Sequence, residues 1–203
     1  YQTLKDVATN QTLTLKPEDA RPFNYKSLHK NAKRLFEPVN NNLGIDFTHV
    51  EDNYTDFNRE KLIPYQVSDR GPALALGDLN GDGKEDIFLG GSKFVPSKVY
   101  LQQDSTFVHQ HFEAIAKDSI REDISAAIAD FNNDQKNDLF VTGGGGDFFG
   151  KSEALLETYY VQKDSSFLIT ELPKFFQNAS VVKPHDFDND GDLDVFLGGH
   201  TIT

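Results

Sequence analysis

The sequence predicts an all-β fold made of repeated four-stranded antiparallel units, in the form of a partial β-propeller. Phe (17) and Gly (15) are spread over many short segments separated by turns, a pattern that favours strands over helices. An acidic nine-residue stretch occurs three times, beginning at Asp78, Asp130 and Asp186. A second landmark also repeats, because residues 99–107 (VYLQQDSTF) match residues 159–167 (YYVQKDSSF). Self-similarity at a spacing of roughly 50 to 55 residues indicates a repeat architecture.

Each repeat is predicted to contain strand A, an acidic loop, strand B, a connection, strand C, a tight turn and strand D. In the first repeat, strand A covers residues 74–77, strand B 87–89 and strand D 107–112, with strand C in the landmark. Four antiparallel strands in about 50 residues is the size of a propeller blade. The small residues at 73–76 (ALAL) and 126–129 (AAIA) suit the crowded innermost strand of a blade.

The chain is predicted to divide into segments of different character. Residues 11–15 (QTLTL) alternate and predict a short strand, and residues 35–39 and 45–50 are strand-like. The predicted segments are a tail of a preceding β domain (1–22), a linker (23–34), lead-in strands (35–72), blade 1 (73–112), blade 2 (125–171) and the first half of blade 3 (180–203). Because a propeller closes with about four to eight blades, we expect the remaining blades to come from the parent chain or from another chain.

Composition excludes several classes of partner and site. The formal net charge of -12 argues against nucleic acid, because phosphate binding requires a basic face. The chain has no Cys, which excludes disulfides and thiolate metal sites. No apolar run approaches the roughly 20 residues of a membrane helix, so no membrane span is expected.

The acidic loop has the donor spacing that a hard cation requires. Positions 1, 3, 5 and 9 carry a side-chain oxygen in all three copies, and a backbone carbonyl at position 7 would add a fifth donor. Calcium takes six to eight oxygen ligands, so the sequence predicts up to three Ca²⁺ sites. The expected ligands are Asp78, Asn80, Asp82, Lys84 and Asp86 in loop 1, Asp130, Asn132, Asp134, Lys136 and Asp138 in loop 2, and Asp186, Asp188, Asp190, Asp192 and Asp194 in loop 3.

The three loops are not equivalent. Position 6 requires a sharp turn that favours positive φ, and it holds Gly83 and Gly191 but Gln135 in loop 2. Loop 2 is therefore predicted to be the weakest site and loop 3, with the most carboxylates, the tightest. An EF-hand is excluded, since position 12 is Leu89, Val141 or Leu197 instead of Glu, and since the flanks are strand-like.

The repeats resemble the FG-GAP/VCBS repeats of bacterial surface proteins and of integrin α-subunit propellers. The resemblance is carried by residues 78–91, 130–144 and 186–199. Residues 53–83 are similar to the start of propellers in large bacterial proteins with an ASPIC/UnbV domain, and residues 1–20 to the tail of that domain. The resemblance implies an exported, calcium-binding propeller of seven or eight blades that serves adhesion or a cell-surface assembly.

A partner is expected on the face opposite the acidic loops, where the longer connections lie. The second of these connections contains residues 143–151 (GGGGDFFGK), whose aromatics either contact a protein or a glycan or cap the local core. We expect a non-enzymatic module, because no paired carboxylates or nucleophile set stand outside the loops. Two hypotheses remain open. One is a binding module at the cell surface, including components of outer-membrane uptake complexes, and the other is a non-catalytic domain of a secreted polysaccharide-active enzyme.

Overall fold

The structure is a computed structural model that describes residues 1–28, 35–37, 39 and 43–200. The chain divides into two compact units, Tyr1–Pro38 and Val39–Thr203.

The described residues of the first unit form no strand and contain short 3₁₀ turns at Pro17–Asp19 and Tyr25–Leu28. The backbone N–H of Arg21 donates to the Tyr1 carbonyl at 2.9 Å, and the Tyr1 and Phe23 rings meet edge to face at 4.9 Å, so Tyr1 lies beside residues 21–23. The predicted strand at residues 11–15 is wrong, because this run is exposed on both faces and pairs with no described strand. Half of the predicted linker (23–34) falls on residues 29–34, which lie outside the described residues.

The second unit contains ten strands among the described residues. Their bounds are β1 Leu74–Gly77, β2 Asp86–Leu89, β3 Lys98–Gln103, β4 Thr106–Gln110, β5 Glu122–Ala129, β6 Asp138–Gly144, β7 Thr158–Lys163, β8 Ser166–Thr170, β9 Asn178–His185 and β10 Asp194–His200. One short helix, α1 (Glu113–Lys117), follows β4, and 3₁₀ turns lie at Asp56–Asn58 and Glu153–Leu155.

The strands form antiparallel sheets in simple meander order. Sheet 1 is β1-β2-β3-β4, sheet 2 is β5-β6-β7-β8, and sheet 3 is the pair β9 and β10. The registers of the two complete sheets correspond, since Ile87 pairs with Tyr100 as Leu139 pairs with Tyr160. The predicted all-β fold with four-stranded antiparallel sheets is confirmed, and the arrangement is consistent with part of a β-propeller-like fold.

The first strands of the sheets lie side by side, with β5 packed against both β1 and β9. A core cluster that includes Phe88, Leu139 and Tyr160 fills the space between sheets 1 and 2. Gly77 lies so close to Ile128 that an added Cβ would stand 2.5 Å from the Ile128 side chain. Glycine at this position therefore sets the close approach of the two sheets.

Asp123 is the main polar connection between sheets 1 and 2. Its backbone carbonyl accepts the N–H of Ala73 and its own N–H donates to the Gly91 carbonyl, both at 3.0 Å. Its buried carboxylate also accepts the hydroxyl of Ser97 and the N–H of Gly91. Asp123 of sheet 2 is thus hydrogen-bonded to the residues that flank both β1 and β2 at the open end of their hairpin.

Several predicted boundaries need correction. Strand D ends at Gln110 and not at Phe112, because Phe112 turns inward to meet the Phe167 ring edge to face at 4.9 Å, and α1 follows it. Residues 45–50 are not a strand, although their side chains alternate between half-buried and exposed. The predicted strand at 35–39 lies partly outside the described residues, and those described form no strand.

Candidate metal centres

Each acidic loop joins the first two strands of its sheet, so the loops occur at corresponding ends of the three sheets. Loop 1 connects β1 to β2, loop 2 connects β5 to β6, and loop 3 connects β9 to β10. The strand C to strand D turns lie at the same end, whereas the connections at 90–97 and 145–157 leave from the opposite end. This is the relative placement that the sequence predicts.

The position 1 carboxylate organises each loop through backbone hydrogen bonds. Asp78 accepts the N–H groups of Gly81 and Gly83 at 2.7 Å, and those of Asn80 and Asp82 at 3.2 Å. Burial alone would raise the pKa of Asp78, but the hydrogen bonds from these N–H groups outweigh it and hold the pKa below its usual value. The carboxylate is therefore fixed in its charged form.

Two of these hydrogen bonds, from the N–H groups of positions 5 and 6 to the position 1 carboxylate, recur in the other two loops. Asp130 accepts the N–H of Gln135 at 2.8 Å, and Asp186 accepts that of Gly191 at 3.1 Å. Position 5 in turn accepts the N–H of position 7 at 2.9, 3.0 and 2.9 Å in loops 1 to 3. Three independent stretches of chain therefore adopt one loop geometry.

The position 9 carboxylates of loops 1 and 2 are completely buried. Asp86 accepts the N–H of Leu79 at 2.8 Å and that of Gln102 at 2.9 Å, and so connects its loop to the third strand of the sheet. Asp138 accepts the N–H of Gln162 at 2.8 Å in the same way. Burial raises the pKa of both Asp86 and Asp138 in spite of these hydrogen bonds. A bound cation would offset this cost of burying charge.

Loop 3 brings three carboxylates together most closely. Asp186, Asp188 and Asp194 each offer an oxygen within 4.8 Å of the others, and no other such group of acidic, His or Cys side chains occurs in the described part of the chain. In loops 1 and 2 the position 3 residue is an asparagine, so the corresponding trio contains an amide oxygen. Asp194 is exposed, unlike Asp86 and Asp138, because no described strand pairs with the outer edge of β10.

Loop 2 differs from the others at position 9. The Tyr159 hydroxyl donates to Asp138 Oδ2 at 2.5 Å, whereas in loops 1 and 3 the corresponding oxygen accepts the N–H of position 2. Burial, together with this hydrogen bond, raises the pKa of Tyr159, so the phenol stays protonated and remains a donor. A cation in loop 2 would have to share Asp138 with Tyr159.

Positive φ occurs at two positions of every loop. Position 6 has φ of 80° at Gly83, 67° at Gln135 and 97° at Gly191, so the predicted positive φ at this position is confirmed. Position 4 was not predicted and has φ of 78°, 57° and 62° in loops 1 to 3. The signal was present in the sequence, since Gly81, Asn133 and Asn189 are the residue types that tolerate this conformation.

We expect Gln135→Gly to stabilise the protein by about 1 kcal/mol, because a non-glycine residue in this conformation costs about 1–2 kcal/mol, partly offset by the flexibility of glycine in the unfolded chain. Gln135 is exposed, so little packing is lost. Urea unfolding without metal measures the change. The matched variant is Gly83→Ala, whose added Cβ meets nothing within 4 Å. It should destabilise by a similar amount, and equal stabilities for all three proteins would contradict the strain argument.

Residues that sequence reasoning missed support the loops from outside. Gln162 and Tyr159 contact Asp138, and the Asn137 side chain donates to the Asp78 carbonyl of loop 1 at 2.9 Å. Gln102 and Gln162 occupy the same place in the repeated landmark, which was the available signal for a shared role. The cross-loop contacts themselves depend on how the sheets pack and could not be derived from spacing.

The opposite end of the sheets carries exposed aromatic side chains. Phe94 (70 % exposed) has φ of 63°, and Phe149 is 66 % exposed with the Arg59 guanidinium 4.6 Å from its ring centre. Phe148 is half-buried beneath Lys93, whose ammonium lies 5.2 Å from its ring centre. The glycine run at 143–146 is buried and closely packed. The connection is thus anchored at its base and presents one aromatic ring outward.

Comparisons with known proteins identify one family signature. Residues 78–141 match the family model of an FG-GAP-like repeat, a range that includes loop 1, loop 2 and the landmark between them. A comparison with curated protein sequences found no match. No helix in the described part of the chain combines the length and the apolar character that a membrane crossing requires.

Proposed function

We propose that the three acidic loops bind calcium as structural ions, and that the second unit is a non-catalytic module for binding a protein or a glycan at a cell surface. The observation that carries the calcium assignment is the donor set of loop 3, where three carboxylates offer oxygens within 4.8 Å of one another. Loops 1 and 2 repeat its backbone hydrogen bonds.

The chemistry of the donor set fits a hard divalent cation. All side chains at positions 1, 3, 5 and 9 are carboxylates or amides, and oxygen-only donor sets of this kind suit calcium. In loop 1 the cation would be held by Asp78, Asn80, Asp82 and Asp86, with the carbonyl of Lys84. Bound there, calcium would neutralise carboxylates that otherwise repel each other within one turn.

A structural role follows from where the loops are attached. Asp86 and Asp138 each connect a loop to the third strand of the same sheet through a backbone hydrogen bond. A cation held by these carboxylates would therefore join three strands of a sheet at one end. Such a role needs no open coordination position and no neighbouring acid–base pair.

The face opposite the loops is the proposed partner surface. It presents Phe94 and Phe149 beside Lys93 and Arg59, and exposed aromatic residues are enriched in the contact regions of partners. An exported protein of the ASPIC/UnbV type, or a component of an outer-membrane uptake complex, is the setting that this module would suit. The ion sites would stiffen the sheets whose connections form this surface.

We expect calcium to raise the thermal midpoint by about 5–10 °C over the chelated protein. A ligand at a hundred times its Kd adds about 2.7 kcal/mol of stability, and each kcal/mol shifts the midpoint of a domain this size by about 2–4 °C. Differential scanning calorimetry with calcium, with magnesium and with chelator measures the effect.

Asp188→Ala, which removes a donor from loop 3 alone, should reduce the calcium-dependent part of the shift and leave the chelated midpoint nearly unchanged. The same protein samples, applied to a glycan array with and without calcium, test the binding role. A midpoint that is the same in calcium and chelator would contradict the structural-ion proposal.

A further inference from the structure

We propose that Gln162 and Asn137 couple the first two calcium sites, so that an ion in loop 2 raises the affinity of loop 1 and the reverse. This inference rests on the proposed calcium binding and adds a role for residues that are not ligands. Both side chains belong to sheet 2 or its loop, and both donate to backbone carbonyls of loop 1.

Gln162 forms a continuous hydrogen-bonded path between the two sites. Its backbone N–H donates to Asp138 Oδ1 in site 2 at 2.8 Å, and its side-chain amide donates to the carbonyl of Leu79. Leu79 stands between two ligands of site 1, and its N–H donates to Asp86 at 2.8 Å. The position 9 carboxylates of the two sites are thus joined through two intervening residues.

This path is buried and therefore well defined. Gln162 is 6 % exposed and Leu79 is 1 % exposed. Hydrogen bonds in such surroundings are stronger than those in water, and leaving one unmade costs more. A displacement of loop 1 would either break the buried hydrogen bond between Gln162 and the Leu79 carbonyl or displace Gln162 as well.

Asn137 adds a second connection beside the first. Its side-chain amide donates to the carbonyl of Asp78, the first ligand residue of loop 1, at 2.9 Å. Position 8 is Glu85 in loop 1 and Leu193 in loop 3, so only loop 2 carries an amide there. A cleft of about 140 Å³ separates the two loops and is lined by residues of both, including Asp78 and Gln135.

The first sheet provides an internal comparison. Gln102 occupies the position that Gln162 has in sheet 2, and its backbone N–H donates to Asp86 at 2.9 Å in the same way. Its side-chain amide, however, donates to the Asp104 carbonyl within its own hairpin at 3.2 Å. The backbone contact is therefore shared by sheets 1 and 2, whereas Gln162 alone of the two glutamines donates to a neighbouring loop.

The two sites are coupled because the same residues lose conformational freedom when either ion binds, so the entropy cost is borne only by the first ion. An ion in loop 2 fixes Asp138, and through it Gln162 and the Leu79 carbonyl, so loop 1 loses less conformational entropy when its own ion binds. Linkage requires the effect to be equal in both directions, and coupling factors of about 5-fold or more are typical of such systems.

Terbium luminescence excited through tyrosine tests the proposal on the whole chain. Tyr159 contacts the site 2 ligand Asp138, so terbium in site 2 is the ion placed to be sensitised by this residue. All proteins carry Asp188→Ala to weaken site 3. Removing a site 1 ligand with Asp82→Ala should lower the terbium affinity of site 2 about 5-fold or more when Gln162 is present.

In a Gln162→Ala background the same Asp82→Ala change should have a smaller effect on the affinity of site 2, and it should have none when Asn137→Ala is added. Gln102→Ala should preserve the full effect. Gln162→Met, which nearly keeps the size but donates no amide N–H, should match Gln162→Ala and guards against a defect caused by lost volume. An equal effect of Asp82→Ala with and without Gln162, or no effect in either, would overturn the coupling. Absence of terbium binding to all variants would instead overturn the calcium proposal.

Discussion

Arg121→Met is expected to destabilise the protein by about 3–5 kcal/mol, because it leaves the buried carboxylate of Asp123 and the half-buried carboxylate of Asp118 without their cation. Arg121 is 4 % exposed. Its Nε donates to Asp123 at 3.1 Å, its Nη2 makes an ion pair with Asp118 at 3.1 Å, and its Nη1 donates to the Leu156 carbonyl at 2.8 Å. Although burial favours the neutral form, these carboxylates raise the pKa of Arg121, so it stays charged.

Methionine fills most of the space that arginine occupies, so the loss of stability arises mainly from the missing charge and hydrogen bonds and less from lost volume. Urea unfolding in chelator measures it without a contribution from metal. The control is Lys117→Met, which removes an exposed ion pair with Glu113 and should change stability by less than about 0.5 kcal/mol. A loss below about 1 kcal/mol for Arg121→Met would show that the buried ion pairs are not needed.

Asp86→Ala and Asp82→Ala are expected to separate ion binding from folding. Both remove a proposed ligand of loop 1 and should abolish calcium binding there. Asp86 is completely buried and accepts two backbone N–H groups, so its loss should also cost about 2–4 kcal/mol without calcium. Asp82 is exposed, and its loss should cost less than about 1 kcal/mol without calcium.

Calcium titration by calorimetry counts the ions bound by each variant, and urea unfolding in chelator gives the stability. The expected result is one ion fewer for both variants with a large stability difference between them. If Asp86→Ala retained the full number of ions, the assignment of position 9 as a ligand would be wrong.

The repeat itself explains why most of the second unit could be predicted. Strand A of the first repeat is predicted at 74–77 and is observed there, because alternating small apolar residues followed by an acidic turn leave little choice of register. The loop spacing likewise defined the candidate ligands, since donor positions in a tight loop are a local property. The role of Gln135 followed from backbone sterics alone.

What could not be predicted depends on contacts distant in sequence. Gln162 reaches Leu79 across 83 residues, and Arg121 meets Thr158 across 37. The run at 11–15 alternates as a strand would, but it has no partner strand, and alternation alone does not supply one. The local sequence pattern therefore predicts the strands and the oxygen donors of the loops. Which polar side chains connect one sheet to the next depends on how the sheets pack.

Asp123 makes the first two sheets a single energetic unit. In repeat proteins, stability is a sum of terms within repeats and terms between neighbours, and large neighbour terms make adjacent repeats unfold together. The backbone of Asp123 donates one hydrogen bond to sheet 1's hairpin and accepts another from it. The Asp123 carboxylate accepts the Ser97 hydroxyl on the side of sheet 1 and the Arg121 Nε–H on the side of sheet 2. Opening either sheet alone would leave these buried groups unpaired, so local fraying at the junction is suppressed and the two repeats open in one cooperative step.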